Sequence, residues 1–183
     1  RSEVDLDNMV AVDAFCQKLD IEVEMIADRQ SVRANGVDIT GYIRTPEMSL
    51  LTSRISSLKP VRDALLKSQR LMGLRGGVVL EGRDIGTVVF PDADIKFFLS
   101  ASVEERARRR CEELSHNGVS VSLDETIADV IRRDRQDSER DIAPLRQAED
   151  AIAIDSSQLS IEDVLDHMTA ICHTKIDAME HVS

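Results

Sequence analysis

The stretch LEGRDIGTVVF, residues 80–90, decides the fold. It begins at the end of a run, GGVVL (76–80), that is Gly-rich and then continuously apolar. Such a run reads as a strand covered on both faces in a parallel α/β sheet. The run ends in an adjacent Arg83 and Asp84. In open α/β folds the carboxyl ends of the strands face the ligand crevice, so charge placed there can meet a substrate. The other reading is a solvated turn with a local ion pair, since surface charges are common and mostly inert.

Downstream, strands and helices alternate. DIKFFLS (94–100) reads as a second strand, and in SVEER (102–106) Ser102 and Glu105 have the spacing of a capping box. The helix expected over 103–115 projects Arg106, Arg109 and Arg110 toward one side. A helix over about 124–138 has Leu123, Ile127, Val130 and Ile131 at helical spacing for the core. Arg133, Asp137 and Arg140 form a second stripe at i, i+4 and i+7 if that helix persists so far, and Pro144 follows. AIAID (151–155) reads as the last strand, and Ser160 and Asp163 open a final amphipathic helix in LSIEDVLDHMTAIC (159–172). This alternation implies a parallel sheet. The Arg106/Arg109/Arg110 face is either an anion clamp or a solvated face paired with Glu104, Glu105, Glu112 and Glu113, and Arg133 with Asp137 is either part of that clamp or an i, i+4 ion pair.

Upstream the period changes. An amphipathic helix is expected over 3–19, after which IEVEMI (21–26) alternates apolar and acidic residues. SVRANGVDITGYI (31–43) carries Asn35-Gly36 between two β-prone runs, a strong hairpin signal that predicts a small antiparallel sheet inserted in the chain. Residues 45–72 read as helical with a break around Pro60, and the tail 176–183 is expected to lack order.

Composition narrows the function. The chain has 183 residues, 42% hydrophobic and 31% charged, with a formal net charge of -11. An ordered protein with one main core is expected, and such acidity argues against a general nucleic-acid binder. Arginines nevertheless cluster at 106–110 and 132–140, which suits a small anion better than a long polyanion. Cys16, Cys111 and Cys172 lack paired metal spacing, and neither they nor the four histidines suggest a metal site. No apolar run has the length of a membrane span, so a cytoplasmic protein is expected.

EGRDIGTVVFPDADIKFFLSASVEERARRR (81–110), RRDRQDSERDIAPL (132–145) and AIAIDSSQLSIEDV (151–164) resemble bacterial cytidylate kinases, over nearly all of 1–175. The resemblance implies an α/β fold: the parallel sheet with flanking helices of a P-loop nucleoside monophosphate kinase, with a small antiparallel β insertion. It divides the chain into a helical core segment (1–19), a monophosphate-binding insertion (20–55), a kinase core (56–175) with a lid around 103–140, and a tail (176–183). The implied reaction is phosphoryl transfer from ATP to CMP or dCMP, with magnesium arriving with ATP. By the same resemblance Ser53, Arg62 and Asp84 read the cytosine ring, and Arg83 and Arg133 hold the monophosphate. Asp137 holds the ribose hydroxyls, Arg140 supports that site, and Arg106 and Arg110 belong to the lid over ATP. The implied partners are CMP or dCMP and ATP, with no nucleic acid and no membrane, and the implied state is a monomer. Alternatives are a kinase for UMP or AMP, or a non-catalytic nucleotide-binding module; a carboxylate at Asp84 favours the exocyclic amine of cytosine over the carbonyl of uracil.

One element of the family is missing. The chain contains no G-x-x-x-x-G-K-S/T loop, and Gly73, Gly76 and Gly77 precede an expected strand instead of following one. The expectation is an amino-terminally truncated kinase that lacks the first strand and P-loop, is incompetent alone, and exposes apolar edges of the neighbouring strands.

Overall fold

In the computed structural model, residues 4–27, 29–43, 46–74, 76–116 and 118–180 are described. They divide into two compact units, Arg1–Glu81 with Glu139–Pro144, and Gly82–Ser138 with Leu145–Ser183.

The first unit opens with α1 (Met9–Cys16), whose N-cap Asn8 accepts a hydrogen bond from the Ala11 amide. It is shorter than the helix expected over 3–19. An antiparallel sheet of β1 (Ile21–Ile26), β2 (Arg29–Ala34) and β3 (Val37–Asp38) follows. Ile21 pairs with Ala34, Val23 with Val32, and Ala34 with Val37. Asn35 and Gly36, with φ of 49° and 76°, make the expected tight turn between β2 and β3. The Asn35 Oδ1 also accepts from the Asp20 amide at 2.7 Å, tying the turn to the start of β1. Then come α2 (Pro46–Ile55) and α3 (Lys59–Gly73). The interruption falls before Pro60, which occupies the first turn of α3; proline opens this helix instead of breaking it. α1 packs on α3, and Val12 and Cys16 are buried.

The second unit contains a single turn of π-helix at Ile85–Val89, β4 (Phe97–Ser100), α4 (Val103–His116), α5 (Leu123–Glu139), β5 (Ile152–Asp155) and α6 (Ile161–Glu180). β4 and β5 pair in parallel, Phe97 with Ile152 and Leu99 with Ile154. α4 and α5 lie between them in the chain; Ala107 and Leu114 of α4 are buried, as are Val89 and Ile154. Ser102 and Ser160 cap α4 and α6 as their spacing predicts, the first to the Glu105 amide and the second to the Asp163 amide.

Three expectations need correction. GGVVL is not a strand: residues 77–80 have no ladder partner among the described residues, and Val79 is 97% exposed. Extended backbone holds as a strand only when a neighbour satisfies its amides and carbonyls, and apolar character alone does not supply one. In the second unit Leu99, on β4, is also 53% exposed. On α5, Leu123 and Ile131 face solvent while Thr126 and Asp137 are buried, so the inward stripe is rotated and carries polar groups. Finally, residues 176–180, expected to be without order, continue α6.

Candidate functional site

The charged turn is built by its backbone. Asp84 stands at the start of the π-helical turn with φ -140° and ψ 17°, and its carbonyl accepts from the amides of Thr87 (3.3 Å), Val88 (2.8 Å) and Val89 (3.2 Å). Phe90 N closes the turn on the Ile85 carbonyl at 2.7 Å. A Cβ at Gly82 would stand 2.7 Å from Ile85 Cγ1, so any side chain there would force Ile85 to shift. A π-turn spends hydrogen bonds on an irregular conformation, and such turns are frequent where side chains must be aimed.

Arg83, beside it, is aimed at α5. Its Nε donates to Asp137 Oδ2 at 3.1 Å. Asp137 is only 4% exposed, and Arg133, one turn earlier on the same helix, brings its Nε to 3.8 Å from the same oxygen. That distance is an ion pair without a hydrogen bond, and Arg133 Nε is a buried atom with no hydrogen-bond partner among the described residues. Burial first, and then the neighbouring positive charge of Arg83, lowers the pKa of the Arg133 guanidinium from its ordinary value, while Asp137 acts in the opposite direction; Arg110 adds a further lowering influence. Arginine stays charged all the same. Arg83 and Arg133 therefore converge on the buried carboxylate of Asp137, a donor-rich and acceptor-poor arrangement that suits phosphate oxygens.

The arginines of α4 do not act as one face. Arg106 donates through Nε to the Ala101 carbonyl at 3.0 Å and through Nη1 to Asp134 at 2.7 Å, which ties α4 to α5. Arg109 binds Glu105 and also reaches the buried Ser156, donating to its carbonyl at 2.7 Å and its hydroxyl at 3.1 Å. Arg110 pairs with Glu113 at 2.6 Å, and Arg108 with Glu105 and Glu112. Hydrogen bonds from Arg108, and then from Arg109, bring the pKa of the Glu105 carboxyl down to about 2. Of the three arginines Arg106, Arg109 and Arg110, the last two make carboxylate pairs of the ion-paired reading, Arg109 with Glu105 and Arg110 with Glu113. Asp134, which orients Arg106, went unnoticed in the sequence, although it stands seven residues after the half-buried Ile127 and so on an inward stripe.

In the first unit two further arginines meet at Ser56. Arg62 Nη1 donates to the Ser56 carbonyl at 3.2 Å, and Arg140 Nη1 donates to the Ser56 hydroxyl at 3.2 Å. Ser53 lies on α2, and its side chain is outside the described residues. Arg140 is not on the Arg133–Asp137 stripe, because α5 ends at Glu139. Leu145 N instead takes the Asp137 carbonyl at 2.7 Å, Arg140 Nε takes the Ala143 carbonyl at 2.7 Å, and Ala143 has φ 49°. Pro144, which lacks an amide and disfavours helical backbone at Ala143, keeps the helix from running on past this segment. Ser56 was also missed, and nothing in its local sequence marks it.

A family model described as cytidylate kinase matches residues 1–174. The chain belongs to the cytidylate kinase family. It is 59% identical over 171 residues to the cytidylate kinase of Geobacter sulfurreducens, an alignment covering 93% of this chain and 73% of that protein. With the Bacillus subtilis cytidylate kinase it shares 45% over 166 residues, covering 91% of this chain and 74% of the relative. Members of the cytidylate kinase family are ATP-dependent kinases, and the mixed α/β fold with one antiparallel and one parallel sheet agrees with that membership.

Among the described residues no group of three or more His, Cys, Asp or Glu side chains could hold a metal ion, and the clustered groups are arginines, which repel cations. These residues do not fit a protein-held magnesium. Among the described residues no helix is long and apolar enough to cross a membrane.

Proposed function

We propose that this chain carries the acceptor side of a kinase that transfers a phosphoryl group from ATP to CMP or dCMP, giving CDP or dCDP. The observation that carries this reading is the pairing of Arg83 and Arg133 across the buried Asp137, an anion-binding centre beside the charged turn. Arg83 and Arg133 hold the monophosphate. Asp137 accepts from the ribose hydroxyls. Asp84 accepts from the exocyclic amine of cytosine, while Ser53 and Arg62 donate to the remaining acceptors of the ring, on the same logic by which side chains read base edges. Arg140 serves as a supporting arginine for nucleotide binding. Arg106 and Arg110 face ATP and offset charge on the transferring group, for which alignment and neutralisation are the main chemical needs. The protein works as a cytoplasmic monomer on nucleotides, with neither nucleic acid nor membrane as partner; its net charge of -11 supports the exclusion of nucleic acid.

The test is nucleoside diphosphate formation from CMP, UMP and AMP with ATP and magnesium, by a protein that joins these residues to a phosphate-binding loop. CMP should be the preferred acceptor. Asp84→Ala should lower kcat/KM for CMP by about 10- to 100-fold, the loss of one charge-assisted hydrogen bond of about 1.5–3 kcal/mol, with an unchanged melting curve. Equal use of UMP by the parent, or unaltered CMP use by the variant, would remove the cytosine assignment.

A further inference from the structure

Lys96 has no part in the chemistry above, yet its side chain is only 7% exposed. It stands just before β4, and its carbonyl accepts from the Ile152 amide at 2.9 Å, which fixes its backbone to the parallel sheet. Its ammonium donates to both oxygens of Asp150, at 2.8 and 2.7 Å, and to the Pro91 carbonyl, where the charged turn ends. Three acceptors satisfy three donors, so the buried charge is compensated. The hydrogen bonds of Lys96 hold the Asp150 carboxyl below the usual carboxylate range. The stem of the same side chain lies under the turn. A Cβ on Gly86 would come within 3.3 Å of Lys96 Cδ and 3.6 Å of its Cγ, so the glycine backbone rests on the lysine methylenes. Lys96 thus touches the turn at two points, one residue after Ile85 and again at Pro91, while the carbonyl of Asp84 is held by the amides between them.

We propose that Lys96 is a positioning residue for the nucleotide site: clamped by Asp150 and the Pro91 carbonyl, it fixes the 82–91 turn and so sets the directions in which Arg83 and Asp84 point. Lysine serves where a hydrophobic residue of equal length would not, because only a donor at the tip can hold the Pro91 carbonyl and the sheet-side carboxylate together. This rests on the reading of Arg83 and Asp84 as CMP ligands, and the test separates the two.

The dissociation constant of CMP for the 183-residue chain is measured by calorimetry, well below the melting temperature of each variant, and amide exchange is followed at Val88, Val89 and Phe90. Lys96→Met keeps the stem and removes the ammonium. It should weaken CMP at least tenfold and speed exchange at those three amides, while α5 keeps its protection. Asp150→Asn, at an exposed carboxylate, should weaken CMP about threefold in the same direction. The double variant should be no weaker than Lys96→Met alone, because the two groups act as one unit. Lys96→Arg should restore at least half of the lost binding energy. A folded Lys96→Met chain that binds CMP within twofold of the parent would overturn the proposal, as would additive effects in the double variant. If the parent itself fails to bind CMP, the CMP reading falls, and unchanged exchange at Val88, Val89 and Phe90 would then overturn the role of Lys96 independently.

Discussion

Asp137→Ala is expected to lower the free energy of unfolding by about 2–3 kcal/mol and to weaken CMP binding at least tenfold. Asp137 is 4% exposed and is the carboxylate against which Arg83 and Arg133 are set. Removing it takes from Arg83 and Arg133 the carboxylate they share and leaves their positive charges uncompensated there. Breaking a fully buried pair costs about 3–5 kcal/mol, but both arginines are close to half exposed and solvent takes up part of the loss, hence the smaller figure. Asp137→Asn should be milder for stability, since the amide oxygen can still accept from Arg83 Nε while the charge is gone. Urea unfolding read with calorimetric CMP titration checks both effects. A stability change under about 0.5 kcal/mol would place Asp137 among ordinary surface positions, against its burial.

A larger effect is expected on turnover. The 183 residues alone should catalyse CMP phosphorylation at less than about a thousandth of the rate they support when fused to a strand, a G-x-x-x-x-G-K-S/T phosphate loop and a helix, roughly thirty residues. Arginines can neutralise charge, as Arg106 and Arg110 do for Asp134 and Glu113. They cannot substitute for a ring of backbone amides and a hydroxyl in fixed geometry, and the sequence contains no G-x-x-x-x-G-K-S/T to provide them. ADP formation dependent on CMP, followed for both proteins, reads the difference directly. Robust turnover by the 183 residues alone would show that they contain an ATP site of another kind.

Local signals served well in this chain where structure depends on neighbours in sequence. The capping serines 102 and 160, the Asn35-Gly36 turn and the strand at IEVEMI all appear as their chemistry predicts. Legibility failed where the outcome depends on a partner far along the chain. GGVVL has the composition of a buried strand, but a strand is defined by its ladder, which local sequence cannot supply. Arg83 and Asp137 are individually visible as charged residues; their hydrogen bond joins positions 54 residues apart and is set by how the turn meets α5. The same holds for Arg109, which shares a helical face with Arg106 and Arg110 but is drawn away by Ser156 at the end of β5. Lys96 is the strongest case, a lysine that composition assigns to the surface and that is buried because three oxygens converge on it.

The most direct test of the nucleotide site is a calorimetric titration of the folded 183-residue chain with CMP, UMP and cytidine at one ionic strength. The expected result is one saturable site for CMP, with UMP and cytidine each at least tenfold weaker, the first because Asp84 loses the cytosine amine and the second because Arg83 and Arg133 lose the phosphate. Cytidine binding as tightly as CMP, or UMP binding as tightly as CMP, would contradict it.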